Sequence, residues 1–149
     1  MSTFLKQRWI LTFTWLIFFV GILLLIESFF RFKDKDGITL LIPEDRTACW
    51  GPVRSLYFPY LGAIVAFWFI RPLPAPRNDE AMKQRFILAL IFSVLFNLII
   101  IYFMAQIYIS GNQNTNIVAD IGTAVKVGAW FSFIVGPIIT FYFGAKQPG

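Results

Sequence analysis

Long uninterrupted blocks of apolar residues limit what this chain can fold into more than any other feature. Residues 9–30 carry a single charge, and residues 86–109 and 127–145 carry none. At about 1.5 Å of rise per helical residue, the two longer blocks can cross a hydrocarbon layer of ~30 Å. Charged residues make up 14% of the chain, whereas about 25% is usual in soluble domains. The sequence therefore predicts an all-α, polytopic membrane protein.

Four transmembrane helices are predicted, at approximately 9–31, 56–71, 80–109 and 121–145, and they form one bundle in a single domain over residues 1–149. The second is the least regular, because only 16 uncharged residues separate Arg54 from Arg71 and Pro59 lies near its start. Residues 32–55 are predicted to be an exterior loop. Aromatic side chains favour the membrane interfaces, and the exterior one is expected to hold Trp50, Tyr57, Tyr108 and Trp130.

An even number of spans places both termini on one side of the membrane. Basic residues are slightly more numerous on that side, and acidic residues offset most of those on the other. The positive-inside rule then predicts cytoplasmic termini. The expected location is the plasma (inner) membrane of a prokaryote.

The chain lacks the residues that most cofactors and catalytic sites require. It contains no histidine and a single cysteine, Cys49. This excludes an internal disulfide and disfavours haem, zinc and iron–sulfur sites, so no metal, cofactor or catalytic residue is predicted. The net charge of +5 comes from short basic flanks beside the apolar blocks, where lipid headgroups are the expected partners and nucleic acid is not.

Small side chains recur at every fourth position of the last predicted helix. In lipid, such a ridge lets helix backbones approach closely, so it predicts a helix-packing surface. The partner helix could belong to the same chain, to a second copy or to another protein. The ridge consists of Ala124, Gly128, Ser132, Gly136, Thr140 and Gly144.

Three polar residues within the apolar blocks are candidates for a coupling or substrate site. Glu27 and Lys126 are both predicted near the exterior ends of their helices, where an ion pair between them is possible. Arg31 lies one turn from Glu27 and offers the ordinary alternative. Asn97 is central in the third predicted helix, where an amide acts either as interhelical glue or as part of a pore or binding site.

Three classes of function remain open at this point. The preferred prediction is a non-enzymatic integral membrane protein, acting as a small helical subunit of a membrane assembly. It would be either an accessory subunit or a homo-oligomer, with membrane lipids and other subunits or copies of itself as partners. The alternative is a small four-helix transporter or channel that uses Glu27, Asn97 and Lys126. A membrane-embedded lipid-modifying enzyme comes third, since the chain has no histidine for proton transfer.

Overall fold

The described part of the chain folds into four α-helices. The structure, a computed structural model, describes residues 3–33, 35–69, 79–111 and 116–144. The helices are α1 (Thr3–Phe29), α2 (Asp45–Phe69), α3 (Asp79–Ser110) and α4 (Ile117–Gly144). The all-α prediction is therefore confirmed. Residues 70, 71 and 145 of the predicted helices lie outside the described residues.

Three of the four helices are long and apolar enough to cross a membrane. These stretches are Leu5–Phe29, Lys83–Ser110 and Ile117–Tyr142. Helix α2 does not reach the same apolarity, because Arg54 and two internal prolines interrupt its sequence. The described helices thus include three candidate membrane spans, which support a membrane location.

Helix α2 begins at Asp45. The predicted start at residue 56 is therefore wrong, and the predicted exterior loop 32–55 is wrong over residues 45–55, which are helical. The Asp45 carboxylate accepts a hydrogen bond from the Ile42 backbone N–H at 3.0 Å. Pro43 follows Ile42, at the position where its fixed φ angle and missing N–H suit the first turn of a helix. A capping bond of this kind starts a helix well before the apolar stretch.

Helix α4 also begins earlier than predicted, at Ile117 instead of residue 121. The Asn116 side-chain oxygen accepts a hydrogen bond from the Ala119 backbone N–H at 3.4 Å, as an N-cap does. Asp120 then places a carboxylate in the first turn, where it interacts favourably with the helix dipole.

The connection between α1 and α2 is a compact turn. An isolated antiparallel bridge joins Lys33 to Thr39, and Gly37 adopts a positive φ of 79° between them. Leu41 follows the turn and is buried, whereas Ile38 and Ile42 are exposed. Phe32 and Leu40 are partly buried against the core, so the loop closes over one end of the bundle through several apolar side chains.

The four helices pack as a ring in which α1 and α4 each contact both α2 and α3. Helices α1 and α3 run in the same direction, because Trp15 lies beside Ser93 and Phe29 lies beside Tyr108. Helix α4 runs against α3, because Phe86 lies beside Tyr142 and Ile100 lies beside Gly128. One end of the bundle therefore carries the starts of α1 and α3 with the ends of α2 and α4.

Helix α2 runs antiparallel to α1 and is tied to it at both ends. Near the start of α2, Arg46 forms an ion pair with Glu27 at 3.0 Å. Near its end, the Trp68 indole N–H donates to the Thr12 hydroxyl at 3.1 Å. The rings of Trp68 and Trp9 pack at a centroid distance of 4.5 Å. Because these ties lie at opposite ends, α2 follows α1 along most of its length.

Candidate functional site

A buried polar cluster lies at the centre of the bundle and consists of Trp15, Tyr57, Ser93 and Asn97. The Trp15 indole N–H donates to the Ser93 hydroxyl at 3.0 Å. The Tyr57 hydroxyl donates to Oδ1 of Asn97 at 2.6 Å. All four side chains are completely buried. We call this set the central polar cluster, and it joins α3 to both α1 and α2.

The remaining polar groups of the cluster are satisfied by α3 itself. The Ser93 hydroxyl donates to the Ala89 carbonyl at 2.6 Å, and Nδ2 of Asn97 donates to the Ser93 carbonyl at 2.7 Å. Ser93 and Asn97 are one helical turn apart, so both face the centre of the bundle. An unpaired polar group in such a site would cost about 1–3 kcal/mol. Each side chain of the cluster is instead hydrogen-bonded within the protein.

Aromatic rings surround the central polar cluster and extend it to α4. Tyr60 stacks on Trp15 at a centroid distance of 4.6 Å, and Phe96 lies 5.5 Å from Trp15 and 5.6 Å from Tyr60. The Tyr60 hydroxyl donates to the Ser132 carbonyl over a longer distance of 3.4 Å. Side chains from α1, α2 and α3 therefore meet around one indole ring, and the Tyr60 hydroxyl links them to the backbone of α4.

The geometry of the central polar cluster suits helix packing better than catalysis or ligand binding. Its polar atoms are paired with one another, and aromatic rings fill the space around them. Within the described residues, no group of three or more His, Cys, Asp and Glu residues could hold a metal ion. The side-chain amide of Asn97 forms two hydrogen bonds within the protein. The arrangement holds helices together and leaves Asn97 with its amide already engaged.

The hydrogen bond between Tyr57 and Asn97 predicts a measurable coupling. Tyr57→Phe leaves the buried Asn97 oxygen without its donor, so we expect a loss of about 0.6–1.7 kcal/mol in unfolding free energy. Unfolding in micelles by sodium dodecyl sulfate, followed by circular dichroism, measures this change. In a double-mutant cycle, adding Asn97→Leu should remove most of the effect of Tyr57→Phe. The matched control is Tyr102→Phe, at an exposed tyrosine of α3. Equal losses at the two tyrosines would contradict the prediction.

Glu27 and Lys126, the other two polar candidates, have separate surroundings. Oε2 of Glu27 lies 3.0 Å from Nη2 of Arg46, and the Arg46 guanidinium lies 5.2 Å from the centre of the Phe30 ring. The pair is partly exposed, which limits its contribution to stability. Lys126 is exposed on α4. The structure thus gives Glu27 a partner on α2, which the sequence did not single out.

The predicted small-residue ridge winds from the inside of the bundle to its outside. Ala124 and Gly128 are buried, and a Cβ atom on Gly128 would lie 2.9 Å from Cδ2 of Leu56 and 3.1 Å from Cδ1 of Ile100. Four residues advance a helix by about 400°, so each ridge residue is displaced by about 40° around the helix axis from the one before it. Ser132 and Gly136 are accordingly half-buried, Thr140 is exposed, and Gly144 ends α4.

Two of the aromatic residues predicted at the exterior interface differ in burial. Tyr57 is buried in the central polar cluster. Trp130 lies midway along the candidate span Ile117–Tyr142, and its side chain is 72% exposed. The spacing of Ser93 and Asn97 could have indicated a polar centre on α3, but only the packing of α1 and α2 identifies Trp15 and Tyr57 as its partners.

Comparisons with protein families, with known proteins and with solved structures give no match for this chain.

Proposed function

We propose that this protein is a non-enzymatic helical subunit of a membrane assembly. The observation that carries the proposal is the outward face of α4, where Trp130 and Phe133 are 72% and 82% exposed. Both lie in the middle third of the candidate span Ile117–Tyr142. Tryptophan is among the residues that most often dominate the binding energy of protein interfaces. A second helix packed on this face would bury both rings.

The position of Trp130 favours a protein neighbour over lipid. Tryptophan is enriched near the headgroups, where its ring is in apolar surroundings and its N–H meets a polar group. On the proposed topology Trp130 lies within the hydrocarbon layer, which offers no hydrogen-bond acceptor. Within the described part of the chain, the Trp130 indole N–H makes no hydrogen bond. A carbonyl or polar side chain on a neighbouring helix would provide the acceptor.

A groove between α2 and α4 lies on the flank of this aromatic face. Its volume is about 380 Å³. Small and proline side chains let a neighbouring helix approach closely, which is the main requirement for association in lipid. We propose that the partner helix packs along this flank and contacts Phe133 beside it. The smaller lining residues are Pro52, Ser55, Pro59, Val125, Ala129 and Ser132.

We further propose that α2 crosses the membrane with the other three helices. Its 25 residues give a length of about 37 Å, and its ties to Glu27 and Thr12 keep it beside the candidate span of α1. Four crossings place both termini on one side, which we propose is the cytoplasm of a prokaryotic cell. A reporter that is active only in the cytoplasm, fused after Gly149, should then be active. An inactive fusion beside an active fusion at the N-terminus would point to three crossings.

Native mass spectrometry of the tagged protein, extracted from its own membrane in a mild detergent, tests the subunit proposal. Other polypeptides at a fixed stoichiometry would identify an accessory subunit, whereas a defined multiple of the chain mass would identify a homo-oligomer. Trp130→Ala should reduce the bound fraction at least tenfold, since large interface anchors contribute about 2 kcal/mol or more.

Phe13→Ala is the matched control for the interface. Phe13 is an exposed aromatic residue of α1, the helix that has little contact with α4 in the ring. This variant should keep the partners of the unmodified chain. A bare monomer under all mild extraction conditions, or equal losses in the two variants, would refute the proposed role of the α4 face.

A further inference from the structure

A second groove opens between α3 and α4 at the end of the bundle where α3 begins. Its volume is about 430 Å³. Pro137 lies on its α4 side, and proline lacks the backbone N–H that would continue the helical hydrogen bonds, which loosens a helix locally. Apart from Arg85 and Tyr142 at its mouth, the lining is apolar and includes Leu88, Phe92, Pro137 and Ile138.

Arg85 places a positive charge at the mouth of this groove. Its guanidinium lies over the Phe141 ring at 4.7 Å from the centroid, which orients the group beside the opening. Within the described residues, Arg85 forms no ion pair. Arg8 of α1 interacts electrostatically with Tyr142, which also lines the groove. A second guanidinium group, from α1, is therefore close enough to Tyr142 to interact with it electrostatically.

The charges around the mouth are mainly basic. Lys6 and Lys83 lie on the first turns of α1 and α3 at this end, and both are exposed. Glu27 and Asp120 belong to the opposite end of the bundle, which leaves Glu80 as the acidic side chain described here. An excess of cations next to a membrane surface attracts anionic lipid headgroups.

We propose that this groove binds an anionic phospholipid. Its phosphate would contact Arg85 with support from Arg8, and one acyl chain would run along the apolar lining towards Phe92. Arginine pairs well with phosphate because its planar guanidinium can donate two parallel hydrogen bonds. From Arg85 to Phe92 the lining extends about 10 Å along α3.

The test is native mass spectrometry of the purified, delipidated protein after addition of phosphatidylglycerol or phosphatidylcholine with the same acyl chains. We expect more phosphatidylglycerol than phosphatidylcholine to remain bound. Arg85→Gln should reduce phosphatidylglycerol binding about fivefold, the effect expected for removing one basic residue near a lipid surface. Leu88→Trp, which fills the groove, should reduce the binding of both lipids. The thermal unfolding midpoint of each variant shows whether the fold is retained.

Arg54→Gln is the matched control, because Arg54 also lies over an aromatic ring, Trp50 at 4.9 Å, but lines no part of this groove. It should leave phosphatidylglycerol binding unchanged. Equal binding of the two lipids, or equal losses in Arg54→Gln and Arg85→Gln, would overturn the proposal. A dimer that forms without lipid and is dissociated by Leu88→Trp would also overturn the proposal. That result would assign the groove to a second copy of the chain. These outcomes do not depend on Trp130, so they are distinct from a failure of the proposed subunit function.

Discussion

Replacing Trp15 by alanine is expected to lower the free energy of unfolding by about 3–5 kcal/mol, the largest effect of any substitution proposed for this chain. The indole is completely buried, stacks on Tyr60 and donates its N–H to Ser93. Its removal leaves a cavity at the point where the helices meet and takes away a hydrogen bond. Unfolding by sodium dodecyl sulfate in micelles, followed by circular dichroism, measures the change.

Trp130→Ala is the control for this substitution, because it makes the same chemical change at an exposed position. The isolated chain should lose less than about 1 kcal/mol in this variant, as is usual for exposed sites without special contacts. If Trp15→Ala were no more destabilising than Trp130→Ala, the aromatic centre would not be the core of the bundle.

Enlarging Gly128 to leucine should be the second most damaging change. A Cβ atom alone would come within 2.9 Å of Leu56 and 3.1 Å of Ile100, and the rest of a leucine side chain has no room between α2 and α3. Overpacking of this kind typically costs about 1–3 kcal/mol, and we expect a value near the upper limit. The same unfolding titration measures it. Gly128→Ala should be much milder, because both contacting atoms are the ends of flexible side chains.

Gly122→Leu separates the packing effect from the intrinsic effect of leucine in a helix. Gly122 lies on the same helix, and nothing approaches within 4 Å of a Cβ atom placed there. We expect this variant to be as stable as the unmodified chain or slightly more stable, since leucine favours helix more than glycine does. Comparable destabilisation at the two glycines would rule out close packing at Gly128.

The sequence predicted the number and class of the helices well because uninterrupted apolar blocks are a strong signal. The first residues of the helices were harder to predict. The early start of α2 depends on a hydrogen bond between Ile42 and Asp45, and the early start of α4 depends on Asn116. Such caps are set by a few polar atoms, and an apolarity pattern does not register them.

The partners of the polar residues could not be predicted, because they depend on which helices become neighbours. Asn97 was identified as a central polar residue, but Tyr57 lies 40 positions away in sequence and reaches it across the bundle. Glu27 likewise pairs with Arg46, a residue of the predicted exterior loop, instead of with Lys126 or Arg31. Residue type and spacing identify groups that need a partner, and the packing decides which partner they find.

The two ties between α1 and α2 also bear on how the chain enters the bilayer during synthesis. On the proposed topology, α2 must bring Arg46 and Arg54 to the membrane, and arginine is costly to insert near the centre of a lone helix. Pairing with Glu27 offsets the charge of Arg46, and Thr12 provides an acceptor for the Trp68 indole. Both partners lie on α1, which is synthesised first. On this topology we therefore expect the α1–α2 hairpin to insert as one unit, in which α1 supplies polar partners to the less apolar helix.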